Sequence, residues 1–126
     1  MITVAIESPY AANERFSVED HVAYARAAML DSLRRGEAPF ASHLLYTQVL
    51  DDGIAEERAH GMAAGLALSL RLDLAAFYVD LGWSRGMEAA CQRYPTRMVD
   101  IRSLFGEQVT DRTSLAAALA AWRARP

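Results

Sequence analysis

Four short strand-like runs, residues 2–6, 38–41, 74–79 and 97–101, are each followed by a stretch of helical character. This alternation constrains the fold more than any other feature, because strands spaced by helices in this way join through right-handed crossovers into a parallel sheet. The first run carries Val and Ile, ends at Ser8-Pro9 and reads as a buried strand. Ser17 opens a helix, and Asp20 three residues on completes a capping box. Val22, Ala25, Met29 and Leu33 repeat at helical spacing before Arg34-Arg35-Gly36 closes the helix. A second helical region is predicted from about Thr47 to Leu70, broken near Asp51-Asp52-Gly53, with Gly61 and Gly65 on one face to permit close packing. The strongest strand, 74–79, leads through a glycine turn into a helix over 84–94. After Pro95-Thr96 and the last strand, Thr113 or Ser114 is expected to cap a final helix in which Leu115, Leu119 and Trp122 share a face. The expected class is α/β: a small Rossmann-like (flavodoxin-like) parallel sheet of about four strands with helices on both faces.

A chain of 126 residues supports one domain with a real core, here 1–126 with a C-terminal helix over 110–126. The formal charge is −3 and the 13 basic residues, all arginine, are scattered, so no nucleic-acid polymer is expected as a partner. The absence of lysine beside abundant alanine points to genome composition rather than mechanism. Cys91 is the single cysteine, which excludes an intrachain disulfide and a multi-cysteine zinc site and makes a packed thiol the expected reading. The opening apolar run reaches Glu7 almost at once, too short for a signal peptide or a membrane span, so the expectation is a cytoplasmic protein with no membrane partner. His21, His43 and His60 are too dispersed for a local metal motif, and neither metal nor cofactor is expected.

In an open parallel sheet, ligands collect outside the carboxyl ends of the strands, and a following helix aims free N–H groups and the positive end of its dipole at a bound anion. The segment F-Y-V-D-L-G-W-S-R-G-M-E, residues 77–88, is built this way. Four loops are expected to meet at that edge, carrying Ser8, Pro9, Tyr10 and Asn13; Ser42, His43 and Tyr46; Asp80, Gly82, Trp83, Ser84, Arg85 and Gly86; and Arg102 with Ser103. No G-x-G-x-x-G follows the first strand and no P-loop occurs, which argues against dinucleotide and P-loop nucleotide binding. Gly82-Trp83-Ser84-Arg85-Gly86 matches the nucleophile-elbow string, with His43 and Asp80 as conceivable partners. The chain is too short for that hydrolase fold, so Ser84 is read as a helix N-cap that bonds a ligand oxygen. His43 is either a structural or a functional histidine. Glu7 ends the first strand at the ligand edge, where an acid is costly unless used or paired, with Arg58, Arg85 or Arg102 as candidate partners.

The strings S-P-Y after strand one, S-H-L-L-Y-T-Q-V-L-D-D after strand two, E-E-R in the second helical region and Y-V-D-L-G-W-S-R-G-M after strand three resemble an uncharacterised, phage-associated family over roughly residues 2 to 105. That family is itself similar to the nucleoside 2-deoxyribosyltransferases and nucleotide N-glycosidases. The resemblance implies hydrolysis or transfer at the N-glycosidic bond of a nucleoside or nucleoside monophosphate, in a homo-oligomer that completes its pockets across subunits. It implies Tyr10 and Asn13 near the base or sugar, and Asp80, Ser84, Arg85 and Gly86 around sugar hydroxyls or phosphate. Ser8, His43, Gly82 and Met87 complete the expected substrate-binding set. In the transferases the catalytic glutamate falls four residues beyond the glycine that corresponds here to Gly86, a position held here by Ala90. Glu88 is the nearby carboxylate, turned about 200° from Ala90 around the helix. Either Glu88, Glu7 or Asp80 carries the catalytic role, or the fold binds a nucleotide without cleaving it.

Overall fold

The computed structural model describes residues 1–126. The chain alternates as β1 (Thr3–Glu7), α1 (Val18–Arg34), β2 (Ala38–Phe40), α2 (Ser42–Leu45), α3 (Ala55–Ser69), β3 (Leu74–Tyr78), α4 (Arg85–Arg93), β4 (Val99–Arg102) and α5 (Arg112–Arg123). The four strands form one all-parallel sheet in the order β2-β1-β3-β4, the expected Rossmann-like α/β arrangement. From β1 the chain leaves toward β2 on one side and later returns to β3 on the other. The crevice above the β1/β3 pair is therefore the switch point at which such sheets take ligands.

Side-chain parity divides the core. Even-numbered Val4, Ile6, Ala76 and Tyr78 point to one face, where they meet Tyr24, Ala27 and Ala28 of α1 and Leu115 and Trp122 of α5. Odd-numbered Ala5, Ala75 and Phe77 point to the other face and meet Met87, Tyr94 and Met98, with Leu66 of α3 and Cys91 of α4 packed against them. Successive side chains of a strand alternate between faces, so this division follows from the register alone. Cys91 is a packed thiol as expected. The Leu115–Trp122 face of α5 seats on α1, and the Arg34 guanidinium lies 4.9 Å from the Trp122 ring centroid.

The Ser17–Asp20 capping box forms as read: Ser17 Oγ accepts from the Asp20 N–H, and the Asp20 carboxylate accepts from the Ser17 N–H. Among the boundaries that differ from the expectation, three stand out. Helical structure after β2 begins at Ser42 rather than Thr47, because Thr47 Oγ1 donates to the His43 carbonyl and the Gln48 amide to the Leu44 carbonyl, tying down a short α2 and its 3₁₀ continuation Tyr46–Gln48. A 3₁₀ turn, Thr96–Met98, takes up the predicted start of the last strand, which begins at Val99. The cap of α5 is Asp111, whose carboxylate accepts the Ser114 N–H and hydroxyl, instead of Thr113 or Ser114.

Gly65 of α3 is needed for close approach, since a Cβ there would lie 2.6 Å from Ser42 Oγ. This contact sets α3 against α2. No helix is long and apolar enough to cross a membrane.

Candidate functional site

A cavity of about 810 Å³ opens above the carboxyl ends of β1 and β3 and runs between α3 and α4. Its floor is built from Glu7 and Ser8 at the end of β1. One wall comes from Ser42, His43 and Tyr46, another from Ser84, Arg85, Gly86 and Met87 at the start of α4, and the rim from Tyr10, Asn13 and Arg58. The structure thus brings together nine of the residues singled out in the sequence: Glu7, Ser8, Tyr10, Asn13, His43, Ser84, Arg85, Gly86 and Met87. Asp80, Gly82 and Glu88 are not among the cavity residues.

Each exclusion has a local cause. Asp80 has the parity of Tyr78, so its side chain enters the α1 face of the sheet, where it is 1 % exposed. There it accepts from the Tyr24 hydroxyl at 2.5 Å, the Ser103 hydroxyl, and the backbone N–H groups of Leu104 and Phe105. Its carboxylate is spent on tethering the loop after β4 to α1. Burial first, then the Asp80 charge, pushes the Tyr24 hydroxyl far above the ordinary phenol range, which keeps it a donor. Gly82 has φ of +87° and forms the turn that launches α4, a left-handed conformation suited to glycine. Glu88 is exposed on α4, while Ala89, Ala90 and Arg93 of the same helix line the cavity. The position at which the resemblance expects a carboxylate is therefore part of the cavity wall, and alanine occupies it.

Glu7, unlike Asp80, is turned toward the cavity. Its odd parity sends it toward α4, where Tyr94 donates a hydrogen bond of 2.7 Å to Oε1. None of Arg58, Arg85 or Arg102 pairs with it; Arg102 instead makes a bidentate bond to Glu37 and a third to Asp100. Desolvation raises the Glu7 carboxyl above its ordinary range, and the Tyr94 bond offsets this in part. Tyr94, outside the residues singled out in the sequence, is the partner the structure gives Glu7.

Ser84 acts as the N-cap of α4, its hydroxyl accepting the Met87 N–H at 3.1 Å, so the nucleophile-elbow arrangement with His43 and Asp80 does not form. His43 pairs with Ser8 instead, Nε2 lying 2.8 Å from Oγ. Asn13 Oδ1 accepts from the N–H groups of Arg15 and Phe16 and shapes the rim loop. His21 Nδ1–H donates to the Tyr10 carbonyl beneath that loop, leaving its buried Nε2 without a partner.

Burial, aided by His21, pushes the His43 imidazole from 6.5 down to about 4. The unfolded chain takes up this proton nearer 6.5, so between those two pH values it binds more protons than the folded chain, and stability falls as pH drops through that window. The loss amounts to roughly 2–3 kcal/mol. Thermal melts of a His43→Gln variant are expected to lose less stability than the wild type between pH 6.5 and pH 4. Parallel pH profiles of the two proteins would contradict this.

No curated protein and no solved structure matches the chain. The model of one family, described as a domain of unknown function (DUF7768), matches residues 2–104, which span every strand and the whole cavity, and the chain belongs to that family.

Proposed function

We propose that the cavity binds a nucleoside monophosphate and that the chain cleaves its N-glycosidic bond. The observation that carries this reading is Glu7, a half-buried carboxyl group with a raised proton affinity, held by Tyr94 on the floor of a nucleotide-sized cavity. N-glycoside cleavage needs such a group, since the departing base must be protonated or the developing oxocarbenium charge met by a carboxylate.

The phosphate end of the site is supported by Arg58, Arg85 and Arg93, which line the cavity and make no ion pair with a carboxylate. The first-turn amides of α4 add donors and the positive end of the helix dipole. Tyr10 and Tyr46 offer flat aromatic surfaces for a base. Ala90 favours a second reading, in which the cavity holds the nucleotide without cleaving it.

Incubation of the protein with a panel of nucleosides and nucleoside monophosphates, followed by chromatography for free base, separates the two readings. Base released from monophosphates supports cleavage. Tight calorimetric binding of monophosphates without base release supports the second reading, and neither binding nor release removes both. Arg85→Ala is expected to weaken monophosphate binding about tenfold, the worth of one charge-assisted contact, and to leave binding of the matching nucleoside unchanged. Equal losses for both ligands would remove Arg85 from the phosphate end.

A further inference from the structure

We infer that Ser8 and His43 together activate water, so that this chain cleaves its nucleotide by a single displacement with inversion at C1′ rather than by transfer through a glycosyl-enzyme. This inference rests on the cleavage proposed above and specifies its acceptor.

Three placements lead to it. The serine hydroxyl is 2.8 Å from His43 Nε2, both residues line the cavity, and Ser8 is 7 % exposed at its floor. Ser8 follows Glu7 directly, just beyond the end of β1, and the two side chains are held by different elements, Ser8 by His43 of α2 and Glu7 by Tyr94 at the end of α4, on two sides of whatever sits between them. Ala90 and Glu88 supply the third: the first puts a methyl group into the wall, and the second is exposed outside it. A two-step retaining mechanism needs a second carboxyl group about 5 Å from the first, whereas direct attack by water needs a base on the side opposite the acid. The other cavity acids, Asp52 and Glu57, belong to the segment that opens α3, and Glu57 accepts the Asp51 N–H there. Glu7 is thus left as the acid, and the serine–histidine pair as the group across from it.

His43 is held neutral by its surroundings, and the tautomer with the proton on Nδ1 presents Nε2 as an acceptor for the serine proton. In the step, the water oxygen forms a bond to C1′ as the C1′–N bond breaks and its electron pair moves to the base. Glu7 supplies the proton taken by the base. The water proton passes to Ser8 Oγ, whose own proton passes to His43 Nε2. The products are free base and sugar phosphate, and transfer of one proton from His43 back to Glu7 through solvent restores the starting state.

The test uses the wild-type chain and a purine or pyrimidine nucleoside monophosphate in a methanol–water mixture. Methanol captured at C1′ gives a methyl glycoside that keeps its configuration, so NMR of the product reads the stereochemistry directly. From a β-nucleotide the α-methyl glycoside is expected, with no exchange into an added second base. A β-methyl glycoside, or base exchange, overturns the inference while leaving cleavage intact. Absence of any released base would instead defeat the underlying proposal.

Ser8→Ala and His43→Gln supply the residue-level test. Each is expected to lower kcat about 100-fold with little change in KM, and azide, a nucleophile that needs no deprotonation, is expected to restore turnover as glycosyl azide. A folded variant with unchanged kcat, or a loss that azide does not rescue, overturns the role of the pair. Where one variant fails to fold, the other and the wild-type stereochemistry decide.

Discussion

Replacement of Asp80 by alanine is expected to lower folding stability by about 4 kcal/mol, one of the largest single-residue losses in the molecule. The carboxylate accepts four hydrogen bonds, and a methyl group in its place would leave the Tyr24 hydroxyl and the Leu104 and Phe105 N–H groups without their acceptor. Buried donors left unpaired cost about 1–3 kcal/mol each, with less than additive losses because the loop after β4 would relax toward solvent. For a chain of this size the loss corresponds to a drop in Tm of roughly 15 °C. Asp80→Asn keeps the shape but turns a donor toward one of these N–H groups, and it is expected to cost about half as much. Because Asp80 lies on the α1 face, Asp80→Asn protein that remains folded should bind nucleoside monophosphate as the wild type does. An Asp80→Asn protein with full stability and no turnover would return Asp80 to the catalytic machinery.

The strand and helix order was legible in the sequence because it rests on periodicity and caps, which are local. Ser17 with Asp20, the glycine turn at Gly82 and the Ser84 cap each formed where the residues placed them. Helix α2 was missed because Ser42 to Leu45 is too short for a period, and its stability comes from side-chain bonds to its own carbonyls. Of the four loops expected at the carboxyl edge, three contribute to the cavity while Arg102 and Ser103 of the fourth bond to Glu37 and Asp80 away from it, and only strand parity sorts the acids among them. Counting from Tyr78 to Asp80, and from Ala5 to Glu7, sends the two acids to opposite faces of the sheet, a signal present in the sequence and not used. The rotation of Glu88 away from Ala90 was readable from about 100° per residue, and the cavity wall follows it. Tyr94 had a weaker signal, lying two helical turns after Met87 and so on the core side of α4. Its bond to Glu7 joins residues 87 apart in the chain, a pairing that no local pattern encodes. The Ser8–His43 pair is of the same kind, made by the meeting of two loops.

Glu7→Gln is expected to lower kcat for base release about 1,000-fold and, in the same protein, to raise thermal stability at neutral pH. The two effects have one origin. Desolvation at the end of β1 raises the Glu7 carboxyl above its ordinary value of 4.5, so the folded chain holds that proton at pH values where the unfolded chain has released it. The stabilising effect of the protonated form is complete below about 4.5 and is lost as pH rises through the folded-state value, so at neutral pH the folded chain bears the cost that desolvation places on this group. Glutamine has the same shape, accepts the Tyr94 hydroxyl through its amide oxygen, and carries no charge to desolvate. The gain in Tm over the wild type should therefore be present at neutral pH and vanish on acidification below about 4.5. Tyr94→Phe isolates the positioning effect. It removes the bond that lowers the proton affinity of Glu7, so the pH profile of kcat should move toward higher pH, a shift that loss of packing alone would not produce. Glu7→Gln protein that releases base at the wild-type rate would remove Glu7 from the chemistry and leave it a structural acid, whereas an inactive, stabilised variant ties the chemistry to the carboxyl group that the end of β1 turns toward the cavity.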